Sequence, residues 1–165
     1  MTLKDKVAVV TGGSNGIGAA TVRLLAADGA NVVICYNKGK ERAEALLKEL
    51  PKADHRILQL TVEDSASVQQ TANAVRATYG RADILINSAG FTRPVPHAQL
   101  EALDDALLDS ILVTNVHGPF AMIRAFVPLL RASGDGVIVN VSSISAFTGS
   151  AATSPIAPRR PHSTP

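Results

Sequence analysis

The 165-residue sequence has a single cysteine, little net charge and no long apolar run. A lone thiol, Cys35, cannot form a disulfide within the chain, which favours a reducing, cytoplasmic setting. The 16 basic and 14 acidic residues leave a formal net charge of +2, too small and too scattered for a nucleic-acid partner. No apolar run reaches the roughly 18 residues of a membrane span. We therefore expect neither a nucleic acid nor a membrane as partner, and we predict no metal site.

The composition is that of one folded domain with an unusual end. Apolar residues make up 46% and charged residues 18% of the chain, which is typical of a globular protein. The predicted domain covers residues 1–150. Residues 154–165 read SPIAPRRPHSTP and hold four of the nine prolines, so we expect residues 151–165 to form a disordered tail.

Short apolar runs alternate with helical patterns along the domain. Strands are predicted at residues 7–11, 31–36, 55–60, 82–86 and 137–141, and helices at 16–28, 41–50, 100–113 and 116–132. A further helix is predicted after residue 64, with Asp64 or Ser65 as its cap, and glycines at 29 and 80 are expected to end the first and third helices. The first helix is expected to use Ile17, Leu24 and Leu25 as its apolar face, and Glu44 to pair with Lys48 in the second. Strands that are apolar throughout indicate a sheet covered on both faces. The pattern predicts an α/β fold with a Rossmann-type, doubly wound parallel sheet.

A glycine-rich turn, TGGSNGIG at residues 11–18, connects the first strand to the first helix. Glycines let the backbone turn sharply and approach a ligand without a Cβ in the way. The N-terminus of the helix offers unpaired N–H groups and a favourable dipole to an anion. Strand, turn and helix together indicate a site for a pyrophosphate.

The same turn resembles the coenzyme motif of the short-chain dehydrogenase/reductase family. Three further segments resemble that family in the same order. Residues 87–90 (NSAG) are similar to its Asn-Asn-Ala-Gly motif, residues 115–120 (NVHGPF) to its Asn-x-x-Gly-x-Phe segment, and residues 138–143 (IVNVSS) to the strand that ends in its catalytic serine. These motifs cover about residues 5–150. The resemblance implies an incomplete sheet of about five strands, with the later strands missing.

The resemblance implies a role for each matched residue. Pyrophosphate contacts fall on Gly12, Ser14, Asn15, Gly16, Ile17 and Gly18. The adenosine ribose would be lined by Asn87, Ala89 and Gly90, although Asn87 could equally serve to bridge strands. Asn115 would kink its helix and help hold a water of the proton relay, unless it is simply a helix cap. Ser143 would hydrogen-bond the substrate carbonyl and stabilise the developing alkoxide.

The end of the second strand bears on the choice of cofactor. A carboxylate there would bind the adenosine ribose 2′-OH and select NAD, but this chain has Cys35, Tyr36 and Asn37. We expect Tyr36 and Asn37 at the cofactor. The cations that follow, Lys38, Lys40 and Arg42, would suit a 2′-phosphate, or they are solvated charges on the next helix. The sequence favours NADP over NAD. Thr61 stands where the family often has an aspartate that contacts adenine.

The family's general acid, a tyrosine followed four residues later by a lysine, is missing. The only tyrosines are Tyr36 and Tyr79, and the last lysine is Lys52. The expected place for the tyrosine is near Ile156, where the resemblance stops abruptly. This predicts an oxidoreductase by ancestry that is inactive as written, through a frameshift, a pseudogene or a wrongly assigned gene end.

Two other functions remain open. The chain could be a nucleotide-sensing or partner-binding module, or a dehydrogenase that a second chain completes. The family implies a small carbonyl or secondary alcohol as substrate and homo-oligomeric full-length relatives.

Overall fold

The computed structural model describes residues 2–96 and 98–144, so the predicted tail at 151–165 lies outside the described residues. In chain order the elements are β1 (Val7–Val10), α1 (Gly16–Ala27), β2 (Asn31–Tyr36), α2 (Lys40–Glu49), β3 (Arg56–Gln59), α3 (Ser65–Tyr79), β4 (Ile84–Asn87), a 3-10 turn (Leu100–Ala102), α4 (Asp105–Leu112), a π-helical turn (Val113–His117), α5 (Gly118–Ala132) and β5 (Val137–Asn140).

The five described strands form one parallel sheet in the order β3-β2-β1-β4-β5. Side chains of β1 alternate between two apolar layers. Val7 and Val9 join the layer that α3 and α5 cover, whereas Ala8 and Val10 join the layer under α1 and α2. Covering both faces requires crossover helices on both sides. The predicted Rossmann-type, doubly wound fold is confirmed.

Local capping residues fix the ends of two helices. The Asp64 carboxylate accepts a 2.8 Å hydrogen bond from the N–H of Ala66 and so caps α3, and Gly80 ends that helix with φ +71°. Gly29, with φ +96°, follows the last residues of α1. Left-handed backbone is accessible to glycine at little steric cost, so both glycines end their helices as expected. Of the two cap candidates, Asp64 and Ser65, the structure selects Asp64.

The apolar face predicted for α1 is wrong for Ile17 and Leu24, whereas Leu25 is partly buried against the core layer beneath the helix. Its buried residues are Gly18, Ala19, Val22 and Ala26. Ile17 is 64% exposed and Leu24 is 71% exposed. Small residues allow the helix axis to approach the sheet closely, and Ile17 and Leu24 point toward solvent.

The predicted ion pair within α2 also differs from the structure. Glu44 pairs with Lys40, with 3.7 Å between the ammonium nitrogen and a carboxylate oxygen, instead of with Lys48. Both side chains are largely exposed, and an exposed pair of this spacing contributes only a few tenths of a kcal/mol, about 0.3–0.5.

The two helices predicted near the end of the chain are one continuous helical run, Asp105–Ala132, of 28 residues. A π-helical turn at Val113–His117 joins its two parts, and Pro128 lies inside α5. By length and composition alone this run could cross a membrane, with a mean hydropathy of 1.3 over its most apolar window. Core helices pass the same test, and α5 buries Phe126 and Leu129 against the sheet.

Candidate functional site

The glycine turn lies at the carboxyl end of β1 and leads directly into α1. Gly12 and Gly16 have φ values of +62° and +49°, a region that only glycine enters readily. Asn15 caps α1, and its side-chain oxygen accepts a 2.9 Å hydrogen bond from the N–H of Gly16. A Cβ at Gly18 would overlap the carbonyl oxygen of Gly12. Three glycines are therefore required by the shape of the turn itself.

Thr11 ties this turn to the loop after β4. Its hydroxyl oxygen accepts hydrogen bonds from the N–H groups of Ser88 and Ala89, at 3.0 and 2.9 Å, and the residue is buried. A Cβ at Gly12 would lie 3.0 Å from the backbone of Ala89. Sequence reasoning gave Thr11 no role, although it opens the motif. The signal available in the sequence was a threonine hydroxyl at the end of a buried strand, which needs a hydrogen-bond partner.

A cavity of about 970 Å³ opens above these two loops, at the carboxyl ends of the strands. Nine of the eleven residues predicted to bind the cofactor line it: Gly12, Ser14, Asn15, Gly16, Ile17, Gly18, Asn37, Ala89 and Gly90. The crevice outside the carboxyl ends of a doubly wound parallel sheet is where ligands bind in such folds. That these nine residues bind a nucleotide stays a prediction.

Tyr36 and Asn87 do not line the cavity. Tyr36 is buried in the apolar layer beneath α1 and α2. The Asn87 amide donates a 2.8 Å hydrogen bond to the side-chain oxygen of Asn140, and its backbone oxygen accepts from Val141 at 2.9 Å. Asn87 therefore bridges β4 and β5, which was one of its two anticipated roles. Its own side-chain oxygen is buried and has no partner among the described atoms.

Asn115 lies in the π-helical turn and fixes the loop that follows β4. Its side-chain oxygen accepts from the N–H of Phe91 at 2.8 Å, and its amide donates to the carbonyl of Phe91 at 2.7 Å. Asn115 is therefore neither a helix cap nor part of the cavity wall. Ser143 follows β5 and is also outside the cavity lining, whereas Val141, two residues earlier, belongs to it.

Cations line one end of the cavity. Lys38 and Arg42 both belong to the lining, but Lys40 does not. A Cβ at Gly39 would stand 2.6 Å from a guanidinium nitrogen of Arg42 and 2.8 Å from the hydroxyl oxygen of Ser14. The guanidinium and the hydroxyl therefore converge above Gly39, in space that only a glycine leaves open.

Carboxylates lie elsewhere in the wall. Glu63 and Asp109 line the cavity beside the apolar side chains of Leu60 and Val62. The hydroxyl of Thr114 donates a 2.6 Å hydrogen bond to Glu63 Oε1. The cavity is thus divided into a cationic end and a wall with anionic groups.

The groups with clearly shifted pKa values lie outside the cavity. Burial raises the pKa of the Cys35 thiol to about 12, so this thiol is no nucleophile at neutral pH. Burial, and then the charge of Asp54, raises the pKa of Tyr79 to about 12. The Tyr79 hydroxyl donates to the backbone carbonyl of Asp54, far along the sequence from the glycine turn. Neither group is placed for catalysis here.

Asp83 occupies the opposite, amino end of the sheet. Its buried carboxylate accepts from the ammonium of Lys6 at 3.1 Å, from the N–H of Val7 at 2.9 Å, and from Arg81. Burial alone would raise the pKa of Asp83. The hydrogen bonds from Arg81, Val7 and Lys6 outweigh that effect and hold the pKa below its usual value. This cluster joins β1 to β4 and takes no part in the cavity.

The described residues contain no group of three or more histidine, cysteine, aspartate or glutamate side chains that could hold a metal ion. A parallel Rossmann-type sheet, a glycine turn at a helix N-terminus and a cleft above both define a nucleotide-binding class of α/β fold.

Comparison with known proteins identifies the family. The model of the short chain dehydrogenase family matches residues 6–156, and the chain belongs to that family. It is 42% identical over 143 residues to D-threitol dehydrogenase of Mycolicibacterium smegmatis, covering 86% of this chain and 54% of that protein. It is 37% identical over 153 residues to a 3-oxoacyl-[acyl-carrier-protein] reductase of Thermotoga maritima, covering 90% of this chain and 60% of that protein.

A solved structure assigned to the same family, from Burkholderia xenovorans, superposes with a TM-score of 0.84 at 32% identity. The match covers 90% of this chain and 63% of that one. The chain thus spans little more than half the length of the curated relatives it matches.

Proposed function

We propose that this chain binds a nicotinamide dinucleotide, with NADP preferred, as the nucleotide-binding part of an oxidoreductase for a small carbonyl or secondary alcohol. The observation that carries the proposal is the glycine turn beneath the cavity. A Cβ at Gly16 would meet no atom within 4 Å, so the backbone there faces open space that a ligand can enter. The N-terminus of α1 adds unpaired N–H groups and a dipole that favour the pyrophosphate.

The preference for NADP is supported by the cationic end of the cavity. The end of β2 offers no carboxylate to a ribose 2′-OH, because Cys35, Tyr36 and Asn37 occupy it. Arg42 stays protonated at any working pH and presents a planar fork to a phosphate. Its position above Gly39, beside Ser14, provides a cation and a hydroxyl for the 2′-phosphate. Lys38 adds a second charge to the lining.

When bound, the nicotinamide would supply or accept the hydride. In this proposal Ser143 binds the substrate carbonyl, and Asn115 keeps the loop at Phe91 in place. The 165 residues contain no Tyr-x-x-x-Lys after Ser143, and general acid–base catalysis contributes about 10²–10⁴ in rate. We therefore propose that these residues by themselves bind nucleotide but do not turn over substrate. We also place the protein in the cytoplasm, because its buried cysteine suits a reducing compartment.

The experiment is a titration of the purified chain with NADPH and NADH, followed by nicotinamide fluorescence. We expect tighter binding of NADPH. Arg42→Ala should remove most of the difference in affinity between NADPH and NADH, because a charged contact to the 2′-phosphate is lost. Lys40→Ala removes an equal charge from the same helix but one that pairs with Glu44 and does not line the cavity. It should leave the preference unchanged. Tighter binding of NADH by the unmodified chain would overturn the preference, and no binding of either would overturn the proposal.

A further inference from the structure

A histidine side chain replaces part of the backbone ladder where β2 and β3 begin. The first paired residues of the two strands are Val33 and Arg56. One residue earlier on β2, the N–H of Val32 donates a 3.0 Å hydrogen bond to Nδ1 of His55. The other ring nitrogen, Nε2, lies 3.0 Å from the carbonyl oxygen of Pro51. His55 therefore joins β2 to the start of β3 and to the connection that follows α2.

These two contacts fix the protonation state of the imidazole. The N–H of Val32 requires an acceptor at Nδ1, and the carbonyl oxygen of Pro51 requires a donor at Nε2. Only the neutral ring that carries its proton on Nε2 meets both conditions. His55 is 8% exposed, so water has little access to the ring. A proton added at Nδ1 would face the N–H of Val32, and that buried N–H would lose its acceptor.

The charged groups on either side of the ring compensate one another. Asp54 and Arg56, the neighbours of His55 in the sequence, form an ion pair at 2.8 Å. From α3, the hydroxyl of Tyr79 donates to the backbone carbonyl of Asp54. Burial, and then the charge of Asp54, raises the pKa of Tyr79 to about 12, so this hydroxyl is neutral. The amino end of β2 adds only the uncharged Asn31, whose side-chain oxygen accepts from the N–H of Asp54 at 3.0 Å.

The end of α2 adds no carboxylate that would stabilise a charged ring. Glu49, the last residue of this helix, forms a salt bridge with Arg23 of α1 at 2.8 Å. Lys48 and Lys52 are exposed and have the same sign as a protonated imidazole. The surroundings of His55 therefore favour the neutral ring that its two contacts require.

The strand that begins at His55 ends at the cavity wall. β3 covers Arg56–Gln59, and the next residue, Leu60, lines the cavity, as does Val62. The N–H of Leu60 donates a 2.7 Å hydrogen bond to the carbonyl oxygen of Tyr36. Within the described sheet β3 is an edge strand that pairs with β2 alone. Whatever holds β3 on β2 therefore also holds this part of the cavity wall.

We propose that His55 is a pH-sensitive switch that holds β3, and with it the cavity wall at Leu60, on β2 at neutral pH and releases it in acid. A histidine in an unfolded chain takes up a proton near pH 6.5. The folded chain can take up that proton only by breaking the hydrogen bond from Val32. The unfolded chain therefore binds more protons than the folded chain as the pH falls, so the folded state loses stability. This switch is separate from the proposed function and needs no nucleotide.

The test is urea unfolding of the full chain at about pH 7.5 and about pH 5.5, one unit on either side of the histidine value. The ratio of unfolded to folded chain, extrapolated to water, should rise about tenfold at the lower pH, because unfolding takes up about one proton there. His55→Asn is the matched variant, because its carboxamide oxygen can accept from Val32 but does not titrate. This variant should show little of the tenfold change. His117→Asn, which alters an exposed histidine of the π-helical turn, should retain it.

Two spectroscopic measurements observe the contact directly in the unmodified chain. Nitrogen NMR of the imidazole near neutral pH should show a proton on Nε2 of His55 and none on Nδ1. Amide hydrogen exchange at Val32 and Leu60, corrected for the intrinsic rate at each pH, should become faster in acid. Both measurements test the switch even if His55→Asn fails to fold.

Three outcomes would overturn the proposal. The first is a proton on Nδ1 of His55 near neutral pH. The second is an equal loss of stability in acid for the unmodified chain and His55→Asn, and the third is loss of the pH effect in His117→Asn. Because no nucleotide is present in any of these experiments, their failure leaves the proposed nucleotide binding unaffected.

Discussion

Strands β1 and β2 and strand β5 belong to one sheet but differ sharply in burial. Every residue of β1 and β2 except Asn31 is buried, whereas all four residues of β5 are exposed. The inner strands have a strand on each side and helices over both faces. Within the described part of the chain, β5 pairs only with β4. The glycine turn therefore stands on the best-packed region, and Ser143 follows the least-packed one.

The difference teaches that the proposed nucleotide site and the proposed substrate-binding serine lie on differently packed parts of this fold. The cavity floor belongs to the end of β1, the start of α1 and the loop after β4, and all four residues of β1 are buried. The side of the molecule at β5 offers apolar surface with little over it. Four changes test this contrast, from the largest expected effect to the smallest.

Replacing a buried residue of α5 should lower the free energy of unfolding more than any of the other changes. Phe126 is fully buried between α5 and the sheet, and Phe126→Ala should lower the free energy of unfolding by about 3–5 kcal/mol, because it leaves a cavity. Phe120, in the same helix, is 61% exposed. Phe120→Ala should change the free energy by no more than about 0.5 kcal/mol. Urea unfolding followed by circular dichroism measures both, and equal losses would mean that the whole helix is buried equally.

The contribution of the charged contacts between β1 and β4 to the free energy of unfolding should depend on pH. Because the pKa of Asp83 is lowered by folding, its stabilising contribution is present above the unfolded pKa of about 3.9. It is lost as the pH falls through the lower folded value. Asp83→Asn should cost about 2 kcal/mol at pH 7, since a charged hydrogen bond contributes about 1.5–3 kcal/mol. The cost should shrink below about pH 4.

Unfolding curves at pH 7 and pH 3 measure this difference. Asp54→Asn serves as the control, because the Asp54 side chain forms an exposed pair with Arg56 at 2.8 Å. An exposed pair contributes about 0–1 kcal/mol. If Asp83→Asn cost the same at both pH values, the charge of Asp83 would not be what joins the strands.

Gly16→Val should abolish nucleotide binding while the chain still folds. The backbone at Gly16 has φ +49°, so a side chain there costs about 1–2 kcal/mol, but it would contact nothing in the protein. The branched side chain would instead occupy the path of the phosphates. We expect loss of NADPH fluorescence enhancement with a cooperative melt retained. Unimpaired binding would place the phosphates away from this turn.

The smallest effect on stability is expected at β5. Its sequence, VIVN, is apolar and carries no charge, and such an edge invites pairing with other chains. Ile138→Lys should reduce light scattering at rising protein concentration while changing the free energy of unfolding by about 0.5 kcal/mol or less. Leu24→Lys, on the exposed side of α1, should leave the scattering unchanged. If both variants reduced the light scattering equally, an added surface charge would have the effect wherever it lies, and pairing at β5 would not be the cause.

Sequence patterns predicted the elements well where a local signal marks them. The closing glycine of α3 identified its end, two adjacent cap candidates located its start to within one residue, and the apolar runs identified five strands. The buried face of α1 was missed, because the prediction followed the large side chains while the contact uses small ones. The π-helical turn was also missed. The wider π-helical turn shifts the phase of the apolar pattern, so a continuous helix was interpreted as two.

At the candidate site, the sequence identified the glycine turn but not the residues that support it. Thr11, which holds the turn to the loop at Ala89, belongs to a contact between segments 78 residues apart. Asn115 was expected to kink its helix, and the structure places it against the backbone of Phe91. Such pairings depend on which loops the fold brings together. No spacing along the chain encodes them.

The sequence by itself determined the parallel α/β class, the position of the glycine turn, and the lack of a Tyr-x-x-x-Lys in these residues, because each depends on local backbone chemistry or on residue identity alone. Only the tertiary structure decided which two of three neighbouring cations line the cavity: Lys38 and Arg42 do, and Lys40 does not. Lys40 turns to Glu44, whereas Arg42 extends over Gly39 toward Ser14. Lys40 and Arg42 lie two residues apart in the sequence and are equally basic, so the sequence alone does not distinguish them. Their partners depend on what the rest of the fold places beside them.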